Sequence, residues 1–323
     1  MDLLSLPTWT GGATGELTLA AQLSPTGVMS QVSLPDPGII LQLVVFGLLL
    51  GAIYGLVALG LTMIFGVMDV INFAHGAFMV VAMYVVWALS GATGLSPLLF
   101  IPIGVMVLFV LGIIVHLVTI KPIMEAPQEN QLIVTFGVLL ILVSSIELYF
   151  SPDPQNYDID LGSVALGGAF IPEGQLIAMG IAVVAVIGTW LFLKKTMIGR
   201  AIRGTADNRD GAQYVGINVE RIDYLTFGIG AALAGLAGAA IPLFLTFDPF
   251  IGDEWLINAF VVVVLGGLGS FPGALLGGMI IGFVEVFGRF YLPGSFYQVV
   301  IFSIFILVLL ILPQGLLGGG ASE

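Results

Sequence analysis

The stretch GLTMIFGVMDVINFAHGAF, Gly60–Phe78, decides the fold because it places polar residues inside an otherwise apolar segment. The polar residues in its middle are Asp69, Asn72 and His75. A charged side chain costs about 3 kcal/mol at the centre of a bilayer, so a charge there calls for a compensating role. Asp69 and His75 can satisfy backbone groups that are freed where a helix breaks. The stretch therefore predicts an interrupted helix.

A second interruption is predicted in VVVVLGGLGSFPGALLGG, Val261–Gly278. Pro272 cannot donate a backbone hydrogen bond, and the glycines around it lose more backbone entropy on ordering than other residues do. Non-helical backbone at membrane depth is tolerated only where it is buried in protein or lines an aqueous cavity. Because one interruption lies near each end of the chain, they point to a transport pathway. The alternative is that the polar residues only support the helix breaks.

Most of the chain is expected to lie in lipid, since 59% of its residues are hydrophobic and only 9% are charged. In hydrocarbon each backbone N–H and C=O needs a partner within its own segment. The sequence therefore predicts an all-α polytopic membrane protein with about eight or nine transmembrane helices, and the apolar runs do not alternate as β-barrel strands do. The candidate spans are Gly38–Ala58, Leu61–Leu89, Pro97–Ile120, Leu132–Phe150, Leu176–Leu193, Tyr224–Leu245, Trp255–Leu268, Gly273–Phe290 and Phe296–Leu312.

One loop predicts the orientation in the plasma membrane. The segment Lys194–Ile222 holds six of the eight basic residues, and short basic loops stay in the cytoplasm. Counting the candidate spans from this loop places the N-terminus outside and the C-terminus inside. Residues 1–37, rich in Gly, Pro, Ser and Thr, are interpreted as an extracellular polar tail, and residues 38–318 as the membrane domain.

The sequence lacks the residues that several classes of function need. The sequence has no cysteine and only two histidines, which offers no cluster for a metal ion. It has no GxxxxGK[ST] phosphate loop, so we expect no ATP or other cofactor to be bound by this chain through that motif. The net charge of −12 argues against a nucleic-acid partner. We therefore expect a protein that is not an enzyme and that receives energy from a partner.

Small residues predict where helices pack closely. Gly47, Gly51 and Gly55 share one helix face at four-residue spacing, which marks the first helix as central. The same spacing recurs in two later pairs, Gly273 with Gly277 and Gly278 with Gly282.

Three further polar positions have local interpretations. Glu285 and Arg289 are spaced i, i+4 and are predicted to form an ion pair rather than a substrate site. Glu147 lies near the outer end of its span, within reach of water. His116, near a cytoplasmic helix end, is interpreted as a residue of a helix interface.

The sequence resembles the branched-chain amino-acid ABC transporter permease family, of the LivH type, over about residues 39–318. Four motifs in the family's order carry the resemblance: GLVALGLTMIFGVMDVINFAHGAF, GRAIRGTADNRDGAQYVGINVERI, VVVVLGGLGSFPGALLGG and LPQGLLG. The resemblance implies an importer subunit. Its partners would be a second, LivM-like permease, two cytoplasmic ATPases that bind ATP, and an extracellular substrate-binding protein.

Within residues 194–222 the resemblance implies a segment that couples the permease to its ATPases. Read as one helix from Gly199 to Ile217, the segment places Arg203, Asp207 and Asp210 on one face, with Gly199 and Gly216 as breaks. The alternative is a solvated loop whose charges only orient the protein. The predicted ATPase-coupling residues are Gly199, Arg200, Arg203, Asp207, Ala212 and Gly216. The predicted pathway residues are Asp69, Asn72, His75, Gly76, Gly266, Gly267, Gly269, Ser270 and Gly273.

The leading prediction is a permease subunit that translocates branched-chain or other aliphatic amino acids and is driven by partner ATPases. A permease of the same family for urea or short amides is the first alternative. The second is a self-sufficient transporter or channel powered by an ion gradient through Asp69, Glu147 or Glu285. A purely structural scaffold would leave the two interrupted helices without a purpose.

Overall fold

The computed structural model describes residues 36–318, so residues 1–35 of the predicted extracellular tail lie outside the described part of the chain. The helices, in chain order, are α1 Pro37–Met68, α2 His75–Thr93, α3 Ile101–Val115, α4 Gln128–Phe150, α5 Glu173–Lys195, α6 Met197–Asp207, α7 Arg209–Tyr214, α8 Val219–Ala240, α9 Ile251–Gly266, α10 Phe271–Tyr291 and α11 Phe296–Ile311. Two short antiparallel strands, β1 Ser163–Leu166 and β2 Ala169–Pro172, form a hairpin between α4 and α5.

The predicted all-α membrane class is confirmed. Seven helical segments are long and apolar enough to cross a bilayer: α1, α2, α3 with its continuation to Ile123, α4, α5, α8 with its continuation to Leu243, and α10. The shorter helices α9 and α11, of 16 residues each, pack with them. Together these make nine helices in the described residues besides α6 and α7, close to the predicted eight or nine.

Helix α1 forms the centre of the bundle, as its glycine face predicts. Almost every residue from Leu49 to Met68 is buried, and α1 contacts α7 to α10 among others through its length. The predicted boundary between the first two spans, at residues 59 and 60, is wrong because α1 continues unbroken for 32 residues. Gly60 stays helical because α8 approaches it closely, and a Cβ there would lie 2.7 Å from the carbonyl oxygen of Gly230.

Helices α1 and α10 pack antiparallel along their glycine faces. Gly47 lies against Phe283, whereas Gly55, two turns further along, lies against Leu275. A Cβ added to Gly282 would lie 2.4 Å from the backbone nitrogen of Gly51. Such backbone proximity is the usual way in which membrane helices gain van der Waals contact. The predicted role of these glycines in helix packing is confirmed.

The bundle has two chemically different ends. At one end, which we call the hairpin end, the start of α1 lies against the β1–β2 turn, where Gly38 meets Gly168. At the other end, the α6–α7 end, Arg209 of α7 donates to the carbonyl oxygen of Val67 near the end of α1. Helix α1 therefore connects the two ends.

Replacing Gly282 with valine is expected to separate α1 from α10. Overpacking of a close interface costs about 1–3 kcal/mol, and the free energy of unfolding should fall by that amount. Denaturation of the purified protein in detergent measures the change. Gly188→Val is the matched control, because no neighbouring atom lies within 4 Å of a Cβ at that position of α5. Equal stability of the two variants would contradict the prediction.

Candidate functional site

The first interruption follows the end of α1. Asp69 has a left-handed φ of 54° that ends the helix, and it is exposed rather than buried as a charge in the bundle. The expectation that Asp69 satisfies freed backbone groups stays a prediction. Asn72 is buried instead, and its Oδ1 accepts from the backbone N–H of Ala74 at 3.0 Å. Thr135 of α4 donates to the carbonyl oxygen of Ile71 at 3.2 Å.

His75 and Gly76 attach the start of α2 to two neighbouring helices. The His75 Nε2 lies 3.1 Å from the carbonyl oxygen of Val57 in α1, and the ring is buried. Gly76 packs so closely on α9 that a Cβ would lie 2.4 Å from the carbonyl oxygen of Gly252. In this conformation both residues fix helix positions. Their contact with a solute stays a prediction.

The second interruption is the turn between α9 and α10, which run antiparallel. Gly267 and Gly269 have φ angles of 106° and 79°, which side chains larger than glycine rarely adopt. Ser270 caps α10, with its Oγ accepting from the N–H of Gly273 at 3.2 Å. Gly273 in turn lies against Gly266, so the turn closes tightly. The predicted break is confirmed, and it is a helix–helix turn.

The terminal LPQGLLG motif completes this turn. The backbone N–H groups of Leu316 and Leu317 donate to the carbonyl oxygens of Leu265 and Gly266, at 2.8 and 3.0 Å. These carbonyls lie in the last turn of α9, where no N–H group of the same helix is available to them. The turn also touches the end of α1, because a Cβ on Gly66 would lie 3.1 Å from the Cα of Gly269. Both interruptions therefore meet the same end of the bundle.

The predicted single helix over residues 199–217 is wrong, because the chain breaks at Asn208. Asn208 is extended, with φ −156° and ψ 104°, and its side chain caps α7 by accepting from the N–H of Gly211 at 2.7 Å. A competing N-cap thus ends α6 after Asp207. Arg203 and Asp207 share a face of α6, but Asp210 belongs to α7.

The six predicted coupling residues divide into exposed charges and packed small residues. Arg200, Arg203 and Asp207 are exposed on α6, and Arg203 lies with Lys194 along a groove that Pro272 also lines. Gly199 is no break but a packing position, since a Cβ there would lie 2.3 Å from the carbonyl oxygen of Phe192. Ala212 is buried in α7. Gly216, with φ 85°, is a break as predicted.

The residue that ties α7 to the bundle is Arg209. Its Nη1 and Nη2 atoms donate to the two carboxylate oxygens of Asp223 in α8, at 3.0 and 2.6 Å. Nη1 also donates to the carbonyl oxygen of Val67 at 3.2 Å. The Asp223 side chain is 3% exposed, so its charge depends on this bidentate pair. The sequence did not predict this contact of Arg209, because a basic residue in a basic loop carries no signal of a partner fourteen positions away.

A cavity of about 380 Å³ lies nearer the hairpin end, between α1, α9 and α10. Leu49, Ile53 and Trp255 supply apolar lining. The polar lining includes Tyr54, Glu254, Glu285 and Arg289. None of the nine predicted pathway residues is among the described residues that line it. Only the spacing of Glu285 and Arg289 pointed toward this region in the sequence.

The predicted Glu285–Arg289 ion pair is present, with Nη2 and Oε1 2.7 Å apart. Glu147 is exposed three residues before α4 ends, as expected for a residue near a helix end. His116 is buried at an interface of helices, with its ring centroid 5.6 Å from that of Phe227 in α8.

A bundle with seven helices that are long and apolar enough to cross a bilayer defines a multi-pass membrane protein. This chain belongs to the family described as the branched-chain amino acid transport system permease component, whose model matches residues 43–310.

Individual relatives agree with the family. The chain is 32% identical to the high-affinity branched-chain amino acid transport system permease protein LivH of Salmonella typhimurium, over 86% of this chain and 95% of the relative. It is equally similar to BraD of Pseudomonas aeruginosa, with the same coverage. A probable LivH of Methanocaldococcus jannaschii is 34% identical over 81% of this chain and 88% of the relative. The resemblance stated from the motifs is confirmed. No solved structure matches the chain significantly.

Replacing Asp223 with asparagine is expected to loosen α7. Breaking a fully buried pair costs roughly 3–5 kcal/mol, and partial exposure of Arg209 should reduce this to about 1–3 kcal/mol. Amide hydrogen exchange in α7 should accelerate by about tenfold or more. Glu220→Gln on the same helix removes an exposed pair with Lys121 and should leave exchange in α7 unchanged. Unaltered exchange in the Asp223→Asn variant would exclude the anchoring role.

Proposed function

We propose that this chain is the membrane-spanning subunit of an ABC importer that translocates branched-chain or other aliphatic amino acids. Family membership and relatives named for branched-chain amino acid transport support this solute class. A permease family of ABC transporters implies ATPases and a binding protein. We further propose two cytoplasmic ATPases that bind and hydrolyse ATP, an extracellular substrate-binding protein, and a second, LivM-like permease that completes the pathway.

We propose that the α6–α7 end faces the cytoplasm. Six basic residues cluster between Lys194 and Ile222, and such clusters remain on the cytoplasmic side. Alternation of the nine helices then puts the hairpin end and the N-terminus outside, and the C-terminus inside, the plasma membrane. In this orientation the first turn of α9, with the acidic Asp253 and Glu254, lies toward the outside.

The observation that carries the coupling proposal is the Arg209 contact with both α1 and α8. A partner that displaces α7 acts on Val67 and Asp223 through this guanidinium. Tyr214 and Val215 at the end of α7 are 89% and 77% exposed. An exposed aromatic side chain is a typical anchor for a partner. ATP binding by the ATPases would then shift the population between outward-facing and inward-facing forms.

The ion-coupled alternative finds less support. Asp69 and Glu147 are exposed, and Glu285 is paired with Arg289 and Tyr54. The urea alternative has no relative among those named above, whereas a ribose import permease of Haemophilus influenzae is 28% identical over 69% of this chain. Permeases similar to this chain therefore have names that refer to different solutes.

Uptake into proteoliposomes tests the solute and the energy source together. The complete transporter, with its binding protein and internal ATP, should accumulate leucine and not urea. This chain alone should move neither solute, because it lacks the ATP-binding loop. Uptake of leucine by the isolated chain would overturn the ATPase-driven mechanism, and uptake of urea instead of leucine would overturn the solute.

Replacing Tyr214 and Val215 together with serine should abolish co-purification with the ATPases. These side chains contribute little to the fold because they are exposed, so the variant should remain folded and membrane-inserted. The matched control replaces Leu148 and Tyr149 with serine, another adjacent exposed pair, near the end of α4. This control should retain the ATPases. Co-purification by the Tyr214 and Val215 variant would exclude the end of α7 as the docking site.

A further inference from the structure

The cavity near the hairpin end contains a connected polar network. The Tyr54 hydroxyl donates to Oε2 of Glu285 at 2.6 Å and accepts from Nδ2 of Asn258 at 2.7 Å. The other oxygen of Glu285 pairs with Nη2 of Arg289 at 2.7 Å. Both carboxylate oxygens of this buried side chain are therefore satisfied. This pair is a fixed part of the wall.

The neighbouring pair is looser and more accessible. Nη2 of Arg289 lies 3.4 Å from Oε1 of Glu254, and these side chains are 53% and 48% exposed. Tyr297 supports them from the side, with its hydroxyl 3.4 Å from the same oxygen and its ring 4.5 Å from the guanidinium carbon. Both acidic contacts of Arg289 in the described residues use Nη2. The N–H groups on Nη1 and Nε of this planar guanidinium can donate hydrogen bonds to a further carboxylate.

The charges and shape of this site fit one class of ligand. Two carboxylates and one guanidinium carry a net charge of −1, which favours an ammonium group near Glu254. A carboxylate attached to the same carbon atom as that ammonium group can bind Arg289. Leu49, Ile53 and Trp255 provide the apolar surface that an aliphatic side chain needs. A volume of about 380 Å³ falls within the ~300–1,000 Å³ typical of small-molecule sites.

We propose that this cavity is a binding site for a zwitterionic aliphatic α-amino acid, which it receives at the hairpin end before translocation. Glu254 binds the ammonium group and Arg289 binds the carboxylate. The buried Glu285 and Tyr54 hold Arg289 in position. The inference rests on the proposed function, and it extends that function by giving the permease its own recognition of the two charged groups that all α-amino acids share.

Glu254→Gln is the sharpest test because it keeps the size of the side chain and the buried Glu285–Arg289 pair. Changing Arg289 instead would leave Glu285 buried without its partner and confuse binding with stability. Asp253→Asn is the matched control, since this neighbouring exposed carboxylate carries the same charge but does not line the cavity. Glu254→Asp, which keeps the carboxylate, should recover part of the activity.

The measurement uses the complete transporter in proteoliposomes with leucine-loaded binding protein. The Glu254→Gln variant should take up leucine about tenfold or more slowly, as expected for loss of one charge-assisted hydrogen bond. Stimulation of ATP hydrolysis by the loaded binding protein should stay unchanged, because the proposal gives Glu254 a contact with the solute and none with the binding protein. The number of leucine molecules moved per ATP should therefore fall. Asp253→Asn should behave as wild type in both assays.

Two results would overturn the site while leaving the proposed function intact. In the first, wild-type and Glu254→Gln transporters take up leucine at the same rate. In the second, uptake and ATP hydrolysis fall in parallel, which indicates a role in docking or folding. Absence of leucine uptake by the wild-type transporter would be a different failure, because it overturns the proposed function together with this site.

Discussion

Backbone groups left without partners at helix ends impose the constraint on which this architecture depends. The carbonyls of Val67, Leu265 and Gly266 belong to buried residues near the ends of α1 and α9, so protein groups must satisfy them. At the end of α1 the group is the Arg209 guanidinium, and at the end of α9 it is the backbone of Leu316 and Leu317. Each of these contacts brings a segment that is distant in the sequence to the same end of the bundle. The charged helices and the terminal motif are thus held in place by the helices that they complete.

The sequence predicted features that arise from local chemistry. Apolar runs predicted the helices, four-residue glycine spacing predicted the α1–α10 contact, and the i, i+4 spacing predicted the Glu285–Arg289 pair. The break at Asn208 also has a local cause, because its side chain caps the N–H of Gly211 three residues later. The spacing of the charged residues instead favoured one continuous helix. Continuation of α1 through Gly60 could not be predicted this way. It depends on the close approach of α8, 170 positions along the chain.

The cavity shows more clearly that contacts between residues distant in the sequence could not be predicted. Tyr54 and Asn258 form one hydrogen bond although 204 positions separate them, and neither is unusual within its own helix. Glu254 lies in the first turn of α9, and that position alone carries no sign of a binding site. Its meaning changes because α10 places Arg289 beside it. Polar residues that converge from different helices carry little signal individually. The glycine-rich interrupted segments are conspicuous in the sequence, but in this conformation they serve largely to pack helix ends.

The corrected length of α1 matters for how the two ends communicate. If α1 had ended near Ala58, Tyr54 and Val67 would have belonged to separate helices, and a connection between them would have required a flexible joint. On one continuous helix they are thirteen residues apart, about 20 Å along the axis. Displacement of Val67 through Arg209 therefore moves Tyr54 as part of the same rigid element. Because the Tyr54 hydroxyl donates to Glu285 of α10, such a movement changes the geometry of Tyr54 with Glu285 and, through Glu285, with Arg289. Helix α1 thus contacts the proposed solute site through Tyr54 and the segment proposed to attach the ATPases through Val67.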